Sequence, residues 1–356
     1  MAEGERVVDI ALQGGGAHGA FTWGVLDRLL EEDSLQIEGI SGTSAGAMNA
    51  VALAQGLSVG GRQGARETLE TYWTRVSRAA SLSPIRRSMW DRLVGRWSLD
   101  QSPGYVMAQY FTRAFSPYQF NPFDMNPLRD LVAACFDFDV INAAPRPRLF
   151  LGATNVRTGR PKVFRQPEIT VDAVMASACL PFLFKAVEID GEAYWDGGYM
   201  GNPPLFPLID ETEARDVILI QINPFWRDEI PTTPAEIENR LNEITFNGSL
   251  IKELRSVAYL WELIHHEKLD RAAYRDARLH MIAAEDVMRQ LSASSKMNAE
   301  PAFLAHLKEI GRQTADEWLA ANLDKVGVET TWRPGFLFEE SLSPAHLEDG
   351  TRRTRP

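Results

Sequence analysis

The chain has 356 residues, 45% of them hydrophobic and 24% charged, with a formal net charge of −11 at pH 7. The length suits one large α/β domain with a substantial insertion, and the acidic balance excludes a nucleic-acid binder working through a broad basic face. Two cysteines in apolar segments, Cys135 and Cys179, exclude a disulfide framework and fit buried thiols in a reducing compartment.

The N-terminal stretch Met1-Ala2-Glu3-Gly4-Glu5-Arg6 is polar and acidic, without the basic region and apolar core of a secretory signal. No uninterrupted apolar run approaches the roughly 18–20 residues that cross a bilayer. A soluble, cytoplasmic protein is expected, with peripheral membrane contact left open.

Val7 to Leu12, an apolar run broken by Asp9, reads as the first strand of a parallel sheet. It ends in Gln13-Gly14-Gly15-Gly16-Ala17-His18-Gly19-Ala20, after which Phe21, Val25, Leu26, Leu29 and Leu30 recur at helical spacing. Ile37 to Ser41 is a second strand feeding Gly42-Thr43-Ser44-Ala45-Gly46, and Ala45 to Leu57 is a helix of small residues. This order is a βαβ start.

Leu69 to Val76 looks helical, and Ser77 to Asn126 then loses regular periodicity. That stretch gathers Arg86, Arg87, Arg92 and Arg96 around Met89, Trp90, Leu93, Val94 and Trp97. Two readings stand: a solvated helix with core tryptophans, or a lid or interfacial surface at about 86–97, with arginines on lipid phosphates. Helical spacing resumes from Asn126 to Phe138. Arg148 to Ala153 and Lys162 to Phe164 form a hairpin, and a helix over Thr170 to Ala178 stops near Pro181. Val187 to Ile189 and Ala193 to Trp195 flank the turn Asp190-Gly191, and the second of them ends in Asp196-Gly197-Gly198. Asp216 to Ile222 is a buried strand, Pro234 to His266 a long helical stretch loosened at Asn247-Gly248, Arg278 to Ala283 the last strand, and Ala302 to Leu323 an amphipathic helix.

The glycine loop matches Gly-x-Gly-x-x-Gly, a dinucleotide fingerprint that needs an acidic residue at the end of the second strand. That strand ends instead in Gly42-Thr43-Ser44, and Glu38 comes too early in it. Three bare glycines suit a loop whose backbone N–H groups converge on an oxyanion. The Gly-x-Ser-x-Gly run fits a nucleophile elbow, a turn so sharp that flanking side chains would collide.

A serine needs a base. A Ser-His-Asp triad would follow Ser44 with Asp196 and then His265, His266, His280, His306 or His346. Its position argues against it, because in an α/β-hydrolase the oxyanion loop and the elbow lie further apart than Gly16 and Ser44. His265, His266, His306 and His346 read as surface, His280 as a core histidine, and His18 as facing substrate or solvent. The alternative is a Ser44–Asp196 dyad, in which an apolar setting raises the carboxylate pKa from about 4.

Glycine loop, elbow and Asp-Gly-Gly fall in the order and on the element types of one family, and the chain resembles the patatin-like phospholipases. The motifs carrying the resemblance are Gly14 to Gly19, Gly42 to Gly46 and Asp196 to Gly198, with an Ala-Ser-x-x-x-Pro segment at Ala176 to Pro181. It spans roughly Val7 to Ile222. It implies a three-layer α/β/α sandwich with a mainly parallel sheet, and lipid acyl hydrolysis without metal or other cofactor. By it Ser44 is the nucleophile and Asp196 the base; Gly14, Gly15, Gly16 and Ala45 form the oxyanion hole. Ala17, His18, Gly19, Gly42, Thr43, Gly46, Gly197 and Gly198 support the motifs. His18 stands where many members carry Arg or Lys, which leaves its contribution open.

One catalytic domain is expected over 1–330, with a variable, lid-like insertion at about 77–126, a helical C-terminal part at about 234–330 and an irregular tail over 331–356. The expected substrate is a lipid or other ester. Acyl transfer, carboxylesterase action on other esters, and non-catalytic lipid binding are the alternatives.

Overall fold

The computed structural model describes residues 5–81, 83–227, 229–265 and 274–333. His266, His346 and most of the expected tail lie outside them. Strand β1 (Arg6–Leu12) leads through the glycine loop and a 3-10 turn (Gly16–His18) into helix α1 (Gly19–Leu29). Strand β2 (Leu35–Gly42) leads through Thr43-Ser44 into α2 (Ala45–Ala80), which runs past the helix expected to end at Leu57. The backbone leaves helical geometry at Gly60 and Gly61, and the second arm carries the Leu69 to Val76 run.

Short helices follow: α3 (Met89–Leu93), α4 (Pro103–Ala114) and α5 (Pro117–Phe120). Two more, α6 (Pro127–Cys135) and α7 (Phe138–Ala143), follow. Local chemistry starts them. Ser88 and Ser102 accept the N–H groups of Asp91 and Tyr105 at 3.0 and 3.3 Å, and Pro103 and Pro127 fill first-turn positions where no N–H is needed.

Beyond them come β3 (Arg148–Asn155), β4 (Pro161–Arg165), α8 (Val171–Ser177), β5 (Val187–Ile189), β6 (Glu192–Asp196), α9 (Phe206–Glu211) and β7 (Asp216–Ile220). The chain continues as α10 (Pro234–His265), β8 (Arg278–Ile282), α11 (Glu285–Arg289), a 3-10 turn (Ala293–Met297) and α12 (Pro301–Asn322). Helix α10 runs through Asn247-Gly248 unbroken; Asn247 is held by Gln13, whose amide donates to it at 2.8 Å.

One sheet joins the strands in the order β5-β6-β3-β2-β1-β7-β8, with β4 also on β3. Strands β3, β2, β1, β7 and β8 run parallel, while β4, β5 and β6 are antiparallel to their neighbours. Side chains alternate across it. Val8, Ile10, Leu12, Ile218 and Ile220 enter a core with α1, α2, α8 and α12. Ala11, Val217 and Leu219 enter a second core with Leu208 of α9 and Leu250, Leu254 and Val257 of α10. Helices thus cover both faces, giving the α/β/α layering. Asp27 of α1, which accepts from Arg66 of α2 at 2.8 Å and pairs with Arg312, ties α12 to the first layer.

The parallel register sets Leu12 opposite both Gly42 and Ile220, so the glycine loop, the elbow and the exit of β7 emerge side by side at the carboxyl ends of the strands.

The arginine and tryptophan cluster divides between surface and interior. Arg87 and Arg92 pair with Glu300 at 2.7 and 3.5 Å, and Trp97 is stacked between Arg87 (4.2 Å) and Phe303 (5.0 Å). Met89, Trp90 and Leu93 are exposed.

Candidate active site

Ser44 lies between β2 and α2 with φ 56° and ψ −121°, a left-handed conformation that costs a non-glycine residue about 1–3 kcal/mol and lifts its side chain from the sheet. Close packing of the two arms enforces the turn. A Cβ on Gly46 would stand 2.1 Å from the Leu12 carbonyl oxygen, so only glycine lets α2 start this near β1. Thr43 and Ser41 donate to the carbonyls of Gly201 and Pro204, both at 2.6 Å, tying the end of β2 to the chain that follows Asp196.

Asp196 ends β6, which pairs antiparallel with β3 beside β2, so sheet order carries it across the sequence to the elbow. It is wholly buried. Its Oδ1 accepts the Gly198 N–H at 2.7 Å, while Oδ2 closes no hydrogen bond. The Ser44 hydroxyl is near enough to lower the pKa of the carboxyl, although the two do not meet strict hydrogen-bond geometry in the resting site. Burial pushes the Asp196 pKa up to about 7, against the opposing effects of the Gly198 N–H, the Ser44 hydroxyl and the charge of Lys296. A carboxyl of that basicity is matched to proton transfer near neutrality.

One short segment holds both residues. The Ser177 hydroxyl accepts the Ser44 N–H at 3.0 Å, and two residues on the Cys179 carbonyl accepts the Asp196 N–H at 2.8 Å.

The glycine loop is held by buried amides. Gly14 donates its N–H to Asn202 at 2.7 Å and accepts from Asn223 at 2.8 Å; Gln13 accepts the N–H groups of Ile222 and Asn223, each at 2.7 Å. The expectation that Gly14 is an oxyanion donor is therefore corrected: its N–H is committed to Asn202, and Gly14 anchors the loop. For Gly15, Gly16 and Ala45 no acceptor is found among the described residues. Ala45 opens α2, where first-turn N–H groups have no intrahelical partner.

His18 faces neither substrate nor solvent, contrary to expectation. It is 3% exposed, its Nε2 lies 2.7 Å from the Ser295 hydroxyl, and its ring meets Phe303 edge-on at 6.1 Å. The Ala293–Met297 turn, far along the chain, covers it. His280 is the core histidine expected, between Asp216 at 3.0 Å and Thr331 at 2.8 Å. His265 stacks on Trp261 and His306 on Trp97, so among the described histidines none is bound to Ser44 or Asp196. No group of three or more His, Cys, Asp and Glu side chains converges as a metal site among the described residues.

Ser177, Asn202, Asn223 and the Ala293–Met297 turn were not identified from the sequence as parts of the site. For Ser177 alone there was a signal, the Ala-Ser-x-x-x-Pro segment.

The sequence model of the family described as patatin-like phospholipase matches residues 10–209. Two curated relatives, each described as a cGAMP-activated phospholipase, come from Escherichia coli (strain TW11681) and Vibrio cholerae serotype O1 (strain ATCC 39315 / El Tor Inaba N16961). They are 24% and 23% identical, over 89% and 88% of this chain and 91% of each relative. Among solved structures, VipD from Legionella pneumophila superposes over 89% of this chain and 67% of its own, with TM-score 0.43 and 16% identity. ExoU in its complex with SpcU from Pseudomonas aeruginosa covers 90% of this chain and 52% of its own, with TM-score 0.39 and 17% identity.

Proposed function

The chain belongs to the patatin-like phospholipase family, a lipid ester hydrolase by that membership, and from this premise we propose that Ser44 and Asp196 are its catalytic pair. The observation that carries the reading is the buried Asp196 carboxyl, with one oxygen fixed by Gly198, the other left without a hydrogen bond, and the Ser44 hydroxyl close enough to act on the carboxyl.

Ser44 Oγ attacks the ester carbonyl carbon while Asp196 takes its proton. The N–H groups of Gly15, Gly16 and Ala45 receive the negative charge that develops on the carbonyl oxygen; losing one such donor costs about 10²–10³ in rate. As the tetrahedral intermediate collapses, Asp196 returns the proton to the departing alcohol. It then takes a proton from water, which attacks the acyl-serine, and returns it to Ser44 Oγ as that oxygen leaves and the acid is freed. An alcohol in place of that water would give acyl transfer through the same groups, and product analysis with and without added acceptor separates the two. The test of the pair is Ser44→Ala and Asp196→Asn in correctly folded protein, on phospholipid vesicles and on short nitrophenyl esters. Both are expected to lose hydrolysis, and a fluorophosphonate probe to label wild type but not Ser44→Ala. Hydrolysis retained by either variant refutes the pair.

Two finer readings are part of the proposal. Met89, Trp90 and Leu93, 80%, 60% and 77% exposed, form the part of the 86–97 stretch that meets a lipid surface. Replacing all three by Ser is expected to reduce co-sedimentation with anionic vesicles and leave nitrophenyl-ester hydrolysis intact; unchanged sedimentation refutes it. Because both curated relatives are described as cGAMP-activated, activation by that nucleotide is proposed here also. Vesicle hydrolysis assayed with and without cGAMP tests it, and an unchanged rate counts against it.

A further inference from the structure

The turn that covers the glycine loop lies outside the matched residues 10–209. Its Lys296 carbonyl oxygen would stand 2.4 Å from a Cβ on Gly16, which has φ +59°, so loop and turn meet backbone to backbone. Its Ser295 hydroxyl holds His18. Burial, and after it the charge of Lys296, pushes the His18 pKa down to about 3, so the glycine loop contributes no cation near neutral pH.

The Lys296 ammonium points elsewhere. It donates to Asn242 Oδ1 at 2.8 Å and lies 5.8 Å from the centre of the Phe246 ring. That ring packs against Gly198, where a Cβ would be 2.2 Å from Cδ1 and Cε1, and Phe246 accepts through its carbonyl from Asn202 at 3.2 Å. Lys296, Phe246, Gly198 and Asp196 are therefore a continuous packed row, and Gly198 is the residue whose N–H fixes Asp196 Oδ1.

The other charged and titratable groups around this row are accounted for. Arg227 and Arg240 are both engaged with Glu243, whose charge also acts on Lys296. Cys179 and Tyr199, next to Asp196, are pushed up to about 12 by burial and are neutral near pH 7. Among the described residues, Lys296 is the one cationic side chain found to act on the Asp196 carboxyl.

We propose that Lys296 is a positioning residue of the reaction: across the Phe246 ring its ammonium stabilises the carboxylate form of Asp196, so that the C-terminal turn sets the pH at which the base works. The inference rests on Asp196 being that base. Asp196 and Gly198 are buried while Phe246 and Lys296 are part-buried, and the field of a charge on a buried carboxyl is screened less than that between two surface groups. Loss of water around the Lys296 ammonium lowers its pKa to about 8, so it is still mostly protonated at about pH 7, the midpoint of the Asp196 ionisation.

The test is the pH profile of kcat/KM on a soluble nitrophenyl ester, for wild type, Lys296→Met, Lys296→Arg and Asn242→Ala. Lys296→Met is expected to move the acid limb up by at most about one pH unit, the low end of what an opposite charge within about 4–6 Å produces, because the Phe246 ring stands between the ammonium and the carboxyl. The rate on that limb then falls by up to about tenfold, with KM unchanged. Lys296→Arg is expected to restore the limb. Asn242→Ala, which takes the ammonium's acceptor without touching the turn, moves it in the direction of Lys296→Met. Equal loss at every pH in Lys296→Met, with the midpoint unmoved, overturns the inference and makes Lys296 a structural support. Asp196→Asn, run in parallel, separates the failures: an active Asp196→Asn overturns the catalytic pair and this inference together. An inactive one, beside an unmoved Lys296→Met midpoint, overturns this inference alone.

Discussion

Asp196→Asn is expected to remove hydrolysis and at the same time make the fold more stable, with a gain that depends on pH. In the native site the carboxyl is wholly buried and its pKa stands at about 7 against an ordinary 3.8. Well below pH 4 the group is protonated both folded and unfolded, and it contributes no difference. From about pH 4 to about pH 7 the unfolded chain releases the proton while the native site retains it, so wild type loses stability as pH rises; above about pH 7 the loss is constant. A shift from 3.8 to about 7 corresponds to about 4 kcal/mol. The asparagine has no charge to desolvate, and its side-chain oxygen can still accept from Gly198. The shift already nets the favourable charge of Lys296 against burial, and the buried amide N–H that replaces the unpartnered oxygen makes about 4 kcal/mol an upper bound. Guanidinium unfolding of both proteins at several pH values between about 4.5 and 8 measures the difference. Asp9 and Glu253, also raised to about 7 by burial, are present in both proteins and leave the comparison unchanged. A difference that does not grow with pH, or an Asp196→Asn less stable than wild type at pH 8, would refute the reasoning.

Other consequences follow from the same geometry. The wild-type kcat/KM is expected to rise with pH through about 7 as Asp196 ionises, and a profile flat between pH 6 and 8 would remove Asp196 as the base. Ser177→Ala leaves the Ser44 N–H without its acceptor, and should cost about 1–3 kcal/mol in denaturant unfolding and lower kcat more than it raises KM. Asn202→Ala releases the Gly14 N–H and is expected to cost a similar 1–3 kcal/mol with a fall in kcat; unchanged stability would show that the loop holds itself. Gly46→Ala drives a methyl group against the Leu12 carbonyl and is expected to abolish soluble, folded protein, read from yield and near-ultraviolet circular dichroism.

Where a feature depends on a few neighbouring residues, it was legible. The strand of Arg6–Leu12, the elbow and the hairpin into Pro161–Arg165 are set by alternation, by glycines at tight approaches and by turn residues. The layering of helices on both faces of the sheet was an expectation of the family resemblance, not of any strand's pattern. Helix α2 continues past the expected Leu57 end through Gly60, Gly61 and Gly64, residues that weaken a helical pattern. Gly56 in fact packs against the backbone of Gly64 and Ala65, so the two arms fold onto each other across the kink. Trp97 and Trp90 read alike in sequence, and packing on Phe303 and His306 of α12 and under Arg87 half-buries Trp97 while Trp90 stays exposed.

The sequence by itself determined which atoms are candidates for the chemistry, because an elbow, a glycine loop and an Asp-Gly-Gly turn are backbone requirements written within a few residues. Tertiary structure alone decided their state. Desolvation of Asp196 is the work of several elements packed around it, and capture of the Gly14 N–H by Asn202 and burial of His18 under Ser295 join residues 188 and 277 positions apart. Fields and burial add over everything folded around a point, and no window of sequence contains that sum.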